Sequence, residues 1–181
     1  SQINVIKRNG RGTEPLDLEK IHSMVGYACK DLAGVSESLV EMNSGIQFYD
    51  QIPTEDIQQI LIKSANDLIS LENPNYQYVA ARLLLYSLRK KLYHRLWELP
   101  HLEKHIDTCI KNGVYDPDFL KWYSKEDIDQ MNSFINHERD YLFSYAGLRQ
   151  VIDKYLVQDR SSGDIFETPQ FMYMMIAATL F

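Results

Sequence analysis

The apolar positions change period once in the first part of the chain. Residues 3–8, Ile-Asn-Val-Ile-Lys-Arg, are rich in β-branched side chains and read as a strand. Asn9-Gly10 and Gly12 supply turn chemistry, and Glu14 to Leu16 returns as the second strand of a hairpin. From Asp17, an N-cap residue followed by Glu19 in the first turn, the period becomes helical. Leu18, Ile21, Val25, Ala28, Cys29 and Leu32 recur at that spacing until Gly34. Ser36 or Ser38 caps a second helix whose apolar face is Leu39, Met42, Ile46 and Tyr49. Pro53-Thr54 opens a third, with Thr54 as N-cap. Its apolar face of Ile57, Ile60, Leu61, Ala65 and Leu68 is the clearest amphipathic pattern in the chain. Asn73-Pro74-Asn75 breaks that helix. A fourth runs from about Tyr76 to Trp97, with Val79, Ala80, Leu83 and Ser87 inward. The pattern predicts a mainly α chain that opens with a small β-hairpin and continues in four helices.

At Leu99-Pro100 the character changes, which places a domain boundary near residue 98: residues 1–97 form one domain and residues 98–181 another. The second part reads as an irregular helical segment. One helix spans about Leu102 to Lys111 and stops at Gly113, and Asp116-Pro117 opens the next. Ser124 caps a third ahead of Glu126 and Asp127, and Phe143 to Lys154 is a fourth. Tyr155 to Phe166 is expected to form a short hairpin around Ser161-Ser162-Gly163-Asp164. Thr168-Pro169 then opens a final apolar helix, with Pro suited to the first helical position. The run Phe171 to Phe181 is too short to span a bilayer. It stops without a Gly or Asn cap, so it reads as a helix cut from a longer chain.

Charge sharpens this picture. The chain is acidic, with net charge −6, yet no Asp or Glu lies between Glu72 and Glu98, where Arg82, Arg89, Lys90, Lys91 and Arg95 all fall. The balance argues against extended nucleic-acid binding, where many phosphates must be neutralised. It permits one small polyphosphate in a local basic pocket. The two cysteines, Cys29 and Cys109, are far apart, form no CxxC pair and sit among apolar helical residues. They read as buried free thiols suited to a reducing cytosol, and they supply neither a zinc ribbon nor a redox dithiol.

A polyphosphate needs cations converging from different elements. Lys7 and Arg8 end the first strand, Lys20 lies one turn into the first helix, and Lys90 lies on the fourth. A hairpin folded over the helices would bring them around one pocket. Each charge-assisted contact is worth roughly 1.5–3 kcal/mol. Neither a Walker loop nor a GxGxxG is present, and clusters of Lys and Arg are more often solvated helix faces. Spacing alone leaves both readings open.

Val5-Ile6-Lys7-Arg8-Asn9-Gly10 followed by Asp17-Leu18-Glu19-Lys20-Ile21 closely resembles the ATP-cone, a regulatory nucleotide-binding module. Ile46-Gln47-Phe48-Tyr49-Asp50 and Pro74-Asn75-Tyr76-Gln77-Tyr78-Val79-Ala80-Ala81-Arg82-Leu83 look like the large (α) subunit of aerobic class Ia ribonucleotide reductase. His137-Glu138-Arg139-Asp140, Phe143-Ser144-Tyr145, Lys154-Tyr155-Leu156-Val157 and Glu167-Thr168-Pro169-Gln170-Phe171 extend the resemblance over essentially the whole chain. It implies a small β-hairpin capping a four-helix ATP-cone over residues 1–97. Residues 98–181 would be the first part of the helical region that precedes the catalytic barrel. It further implies a cytoplasmic protein in deoxyribonucleotide synthesis, with ATP as activator and dATP as inhibitor, bound with Mg²⁺.

Carried over position by position, the resemblance places Lys7 and Arg8 on phosphates, with Lys90 closing from the fourth helix. Glu14 and Asp17 would face the adenine, and Val5, Leu16 and Ile21 would line it. Lys20, Thr54 and Gln58 would surround the ribose and phosphates. Taken singly, Val5, Leu16 and Ile21 are equally compatible with plain core packing. Two positions depart from the bacterial pattern: the loop Arg11-Gly12-Thr13 is one residue longer, and Gln58 stands where bacterial members often carry His.

The catalytic cysteines of the family lie in the barrel, and neither Cys29 nor Cys109 matches them. The implied role of these residues is therefore allosteric, within a reductase active only as a whole. The implied partners are the rest of the α subunit, the radical-generating small (β) subunit and other α copies, without nucleic acid or membrane. An alternative is a nucleotide-independent interaction module that docks a separate catalytic polypeptide or the small subunit.

Overall fold

The computed structural model describes residues 2–154, 156 and 162–180. They form two compact units, which divide inside a helix rather than at Leu99-Pro100. One comprises residues 1–87 with 143–148, the other residues 88–142 with 149–181.

The first unit begins with β1 (Asn4–Ile6) and β2 (Thr13–Pro15), antiparallel with Val5 opposite Glu14. A 3-10 turn over Arg8–Gly10 joins them, and the Lys7 amide closes it on the Gly12 carbonyl at 2.9 Å. Gly10 and Gly12 take φ of 65° and 100°, a region closed to most side chains. A third strand absent from the sequence reading, β3 (Ile52–Pro53), pairs parallel with β1 and gives the order β2-β1-β3. Two residues are too few for a period to show.

Three helices follow the strand order in sequence: α1 (Leu18–Cys29), α2 (Glu37–Gly45) and α3 (Thr54–Asp67). Asp17 and Ser36 cap α1 and α2 through their side chains. At α3 Pro53, not Thr54, occupies the N-cap position, and Thr54 is the first helical residue. Val5, Val25, Val40, Ile52, Leu61 and Ala65 are buried at the centre of this unit.

The expected face of α2 is corrected. Leu39, Met42, Ile46 and Tyr49 are exposed, and Val40 and Ser44 are buried instead. The Ser44 hydroxyl donates to the Val40 carbonyl at 2.6 Å, and Ser64 of α3 donates to the same oxygen at 2.9 Å. Small hydroxyl residues thus sit where α2 and α3 meet.

Helix α4 (Tyr76–Tyr93) ends ahead of the expected Trp97, because His94 adopts a left-handed φ of 59°. The second unit contains α5 (Leu102–Lys111), α6 (Phe119–Trp122), α7 (Lys125–Phe134), a 3-10 segment over His137–Leu142 and α9 (Pro169–Leu180). The intervening α8 (Tyr145–Lys154) starts in the first unit. Helix α6 begins at Phe119, after Asp116-Pro117 has formed a turn. A reciprocal capping box between Ser124 and Asp127 starts α7, and hydrogen bonds from Ser124 hold the Asp127 carboxyl below its usual range. Leu102, Ile106, Phe119, Ile128, Phe171 and Met175 form the core. Half of the hairpin expected over Tyr155 to Phe166 lies outside the described residues. No described helix is long and apolar enough to cross a membrane.

Candidate functional site

The turn after β1 carries two cations. Lys7 is exposed, with its ammonium 3.8 Å from the Glu14 carboxylate across the hairpin. Arg8 turns instead toward α3. Its Nη1 donates to Glu55 Oε1 at 3.2 Å and its Nη2 to Gln58 Oε1 at 2.5 Å. Gln58 is buried, and the same oxygen accepts from the Ser87 hydroxyl at 3.0 Å. Thr54 Oγ1 donates to the Ile6 carbonyl at 3.1 Å, which ties the first turn of α3 to the end of β1. The structure therefore brings Lys7, Arg8, Glu14, Thr54 and Gln58 together around the hairpin end.

The remaining expected site residues divide. Val5 and Ile21 are buried and Leu16 is half-buried. Asp17 uses its carboxylate to accept from the Glu19 and Lys20 amides. Lys20 is exposed on the first turn of α1. Lys90 is half-buried on the last turn of α4 and belongs to the second unit.

Sequence reasoning missed Glu55 and Ser87. Glu55 and Gln58 are one helical turn apart on α3, and this i, i+3 polar pair beside an apolar stripe was the available signal. Nothing local marks Ser87.

The other cations of the carboxylate-free window have mixed roles. Arg82 donates to the carbonyls of Ala28 and Lys30 at the end of α1. Arg89 is buried and donates to the Leu96 and His137 carbonyls and to the Tyr141 hydroxyl. Lys91 lies 3.7 Å from Asp164.

The second unit holds a buried polar chain. His105 stacks on Phe171 at 4.2 Å between ring centres, and its Nε2 lies 2.9 Å from the Tyr115 hydroxyl. That hydroxyl donates to the Glu167 carboxylate, so Nε2 carries the proton that Tyr115 accepts. Burial lowers His105 to about 3 and His137 to about 4. Both cysteines are buried free thiols. Burial pushes Cys29 up to about 11 and Cys109 up to about 12, so neither is a reactive thiolate.

The basic hairpin turn set against the start of α3 lies in a part of the chain that matches a known family. Residues 3–91 match the family model described as the ATP cone domain, and residues 141–181 match ribonucleotide reductase, all-alpha domain. The chain belongs to the ribonucleotide reductase alpha-subunit family and corresponds to its N-terminal region.

It is 48% identical over 177 residues to ribonucleoside-diphosphate reductase 1 subunit alpha of Escherichia coli (strain K12), covering 98% of this chain and 23% of that protein. It is 47% identical over 181 residues to the alpha subunit of Buchnera aphidicola subsp. Schizaphis graminum, covering 100% of this chain and 24% of that protein. Identity to the alpha subunit of Enterobacteria phage T4 is 43% over 180 residues, covering 98% and 23%. The chain thus spans about a quarter of the length of these relatives.

Proposed function

We propose that this chain is the allosteric N-terminal part of a ribonucleoside-diphosphate reductase alpha subunit. It binds ATP as activator or dATP as inhibitor, with Mg²⁺, and so controls overall activity in deoxyribonucleotide synthesis. The functional cone extends over residues 1–97. The observation that carries the reading is the convergence of Lys7 and Arg8 with Thr54 and Gln58 inside a matched ATP cone. Lys7 and Arg8 hold phosphates, and Lys90 joins them from α4. Glu14 and Asp17 supply acceptors for the base, which Val5, Leu16 and Ile21 flank, and Lys20 lies by the ribose and phosphates. The partners are the rest of the alpha subunit, the beta subunit and further alpha copies, in the cytoplasm. Isothermal titration with ATP and with dATP, in Mg²⁺, tests this. Absence of heat with both nucleotides at high protein concentration would sink it.

A second reading rests on the outward face of α2. Leu39 and Met42 on α2 are 46% and 62% exposed, and Ile46 and Tyr49 in the segment that follows it are 80% and 50% exposed, which makes an apolar surface. It suits a module that docks the catalytic polypeptide or the beta subunit without nucleotide. Pull-down by those proteins, equal with and without ATP, would favour it.

A further inference from the structure

We propose that a cavity beyond the end of α4 is a binding site for a small phosphorylated ligand. It shares no residue with the hairpin site. The cavity has a volume of about 250 Å³ and lies wholly within the second unit. His94, Arg95 and Lys104 line it, Thr108 adds a hydroxyl, and Tyr93 and Phe166 provide apolar walls. Among the described residues that line it none is a carboxylate, in a chain of net charge −6.

Three observations point to an anion. First, the cations come from two elements: Arg95 from the loop after α4, and Lys104 from the first turn of α5.

Second, these cations are not consumed elsewhere. Arg82, Arg89 and Lys91 bind protein oxygens. Among the described residues Lys104 has no ion pair, and Arg95 donates to the Glu98 carbonyl at 3.1 Å. Neither serves as a cap for the carbonyls of α4.

Third, the loop is strained. His94 and Glu98 have φ of 59° and 53°, in the left-handed region disfavoured for residues with a Cβ. Such residues persist where their surroundings over-determine them, often at ligand clamps. Here the buried Arg89 guanidinium holds the loop by the Leu96 carbonyl at 3.1 Å.

The lining also limits the ligand. Both ring nitrogens of His105 are engaged, by Tyr93 and Tyr115, so this residue acts as a wall and not as a donor. The volume is below the ~300–1,000 Å³ of pockets for drug-sized ligands. The cations would take the phosphate oxygens, and a compact flat body would lie between Tyr93 and Phe166.

The test is an NMR titration of the ¹⁵N-labelled chain with phenyl phosphate and, separately, with inorganic phosphate. Saturable shifts are expected at the amides of Arg95, Lys104 and Thr108, with the ring-bearing probe binding more tightly. Arg95→Ala with Lys104→Ala should weaken binding at least tenfold with the helical circular dichroism retained. Lys104→Gln alone, at an exposed position, should weaken it several-fold and keeps the test valid if the double variant unfolds. Shifts that rise without saturation, or that persist unchanged in Lys104→Gln, would show an adventitious ion only and overturn the proposal. Shifts confined to Lys7 and Arg8 would also overturn it, by assigning the phosphate to the hairpin.

Discussion

Arg8 is already occupied by protein, so a nucleotide must compete for it. Its guanidinium spans Glu55 and Gln58, and the Glu55 side chain is 64% exposed. An exposed ion pair of this kind is worth about 0.2–1 kcal/mol. Glu55→Gln should remove that competition and a negative charge beside incoming phosphates. At 1.4 kcal/mol per tenfold, ATP affinity should rise about 1.4- to 5-fold. Arg8→Ala should do the opposite. Loss of a charge-assisted contact, about 1.5–3 kcal/mol, corresponds to about 10- to 150-fold weaker binding. Isothermal titration of both variants, with urea melts alongside, separates the two roles of Arg8. If Arg8 serves only the fold, Arg8→Ala will lower the melt midpoint and leave affinity alone, and Glu55→Gln will not tighten binding. That pair of results would refute the competition argument.

Lys7→Ala with Lys90→Ala should weaken ATP and dATP alike by at least tenfold in the same titration; unchanged affinity would place the phosphates elsewhere. Phe171→Ala removes a fully buried ring stacked on His105 and should destabilise the second unit by about 3–5 kcal/mol, read as a lowered midpoint in urea. The second unit should also lose stability in acid. Below their ordinary value of 6.5, His105 and His137 take up protons readily only when unfolded, which makes acid unfavourable to the native state. Asp140, raised by burial to about 6, works in the opposite sense by binding a proton in the native state. Two against one leaves a net loss of about 1.4 kcal/mol per pH unit between about pH 6 and 4. Asp140→Asn should steepen that slope and stabilise the unit at pH 7, and a pH-independent urea midpoint would contradict the assignment.

Much of the local structure was legible. Asp17, Ser36 and Ser124 cap helices as their neighbours in sequence predict, and Ile57, Leu61 and Ala65 face inward as their period requires. These depend on interactions within a few residues. The missed strand and the misread face of α2 share one cause, which is contact between distant segments. β3 exists only because β1 lies beside Ile52. The face of α2 was misread because Ser44 and Ser64 converge on one carbonyl, and small polar residues count as outward in a hydrophobic pattern. The site shows the same division. Lys7 and Arg8 were identifiable as cations before a turn, but the Arg8 contact to Gln58 and the Ser87 contact beneath it span long separations. Arg89 looked like a spare cation and instead holds carbonyls in the interior.

The hairpin site has a consequence for how two effectors could be told apart. ATP and dATP present identical phosphates, so on the proposed function Lys7 and Arg8 would contribute equally to both and set affinity without choosing. The choice must come from a group near the sugar, and one hydrogen bond there is worth about 0.5–1.5 kcal/mol. Gln58 is the polar group available on α3, and its carbonyl oxygen already accepts from Arg8 and Ser87. A phosphate that draws Arg8 away would leave that oxygen held by Ser87 alone, and Gln58 with one tie fewer against reorienting. Phosphate binding and sugar reading are thus linked through one side chain. The same shift removes a tie between the hairpin and α3, while Thr54 still holds α3 to the Ile6 carbonyl. An effector regulates only by its differential affinity for two states. On the proposed function the difference would arise at Gln58, while the cations would hold either nucleotide in place.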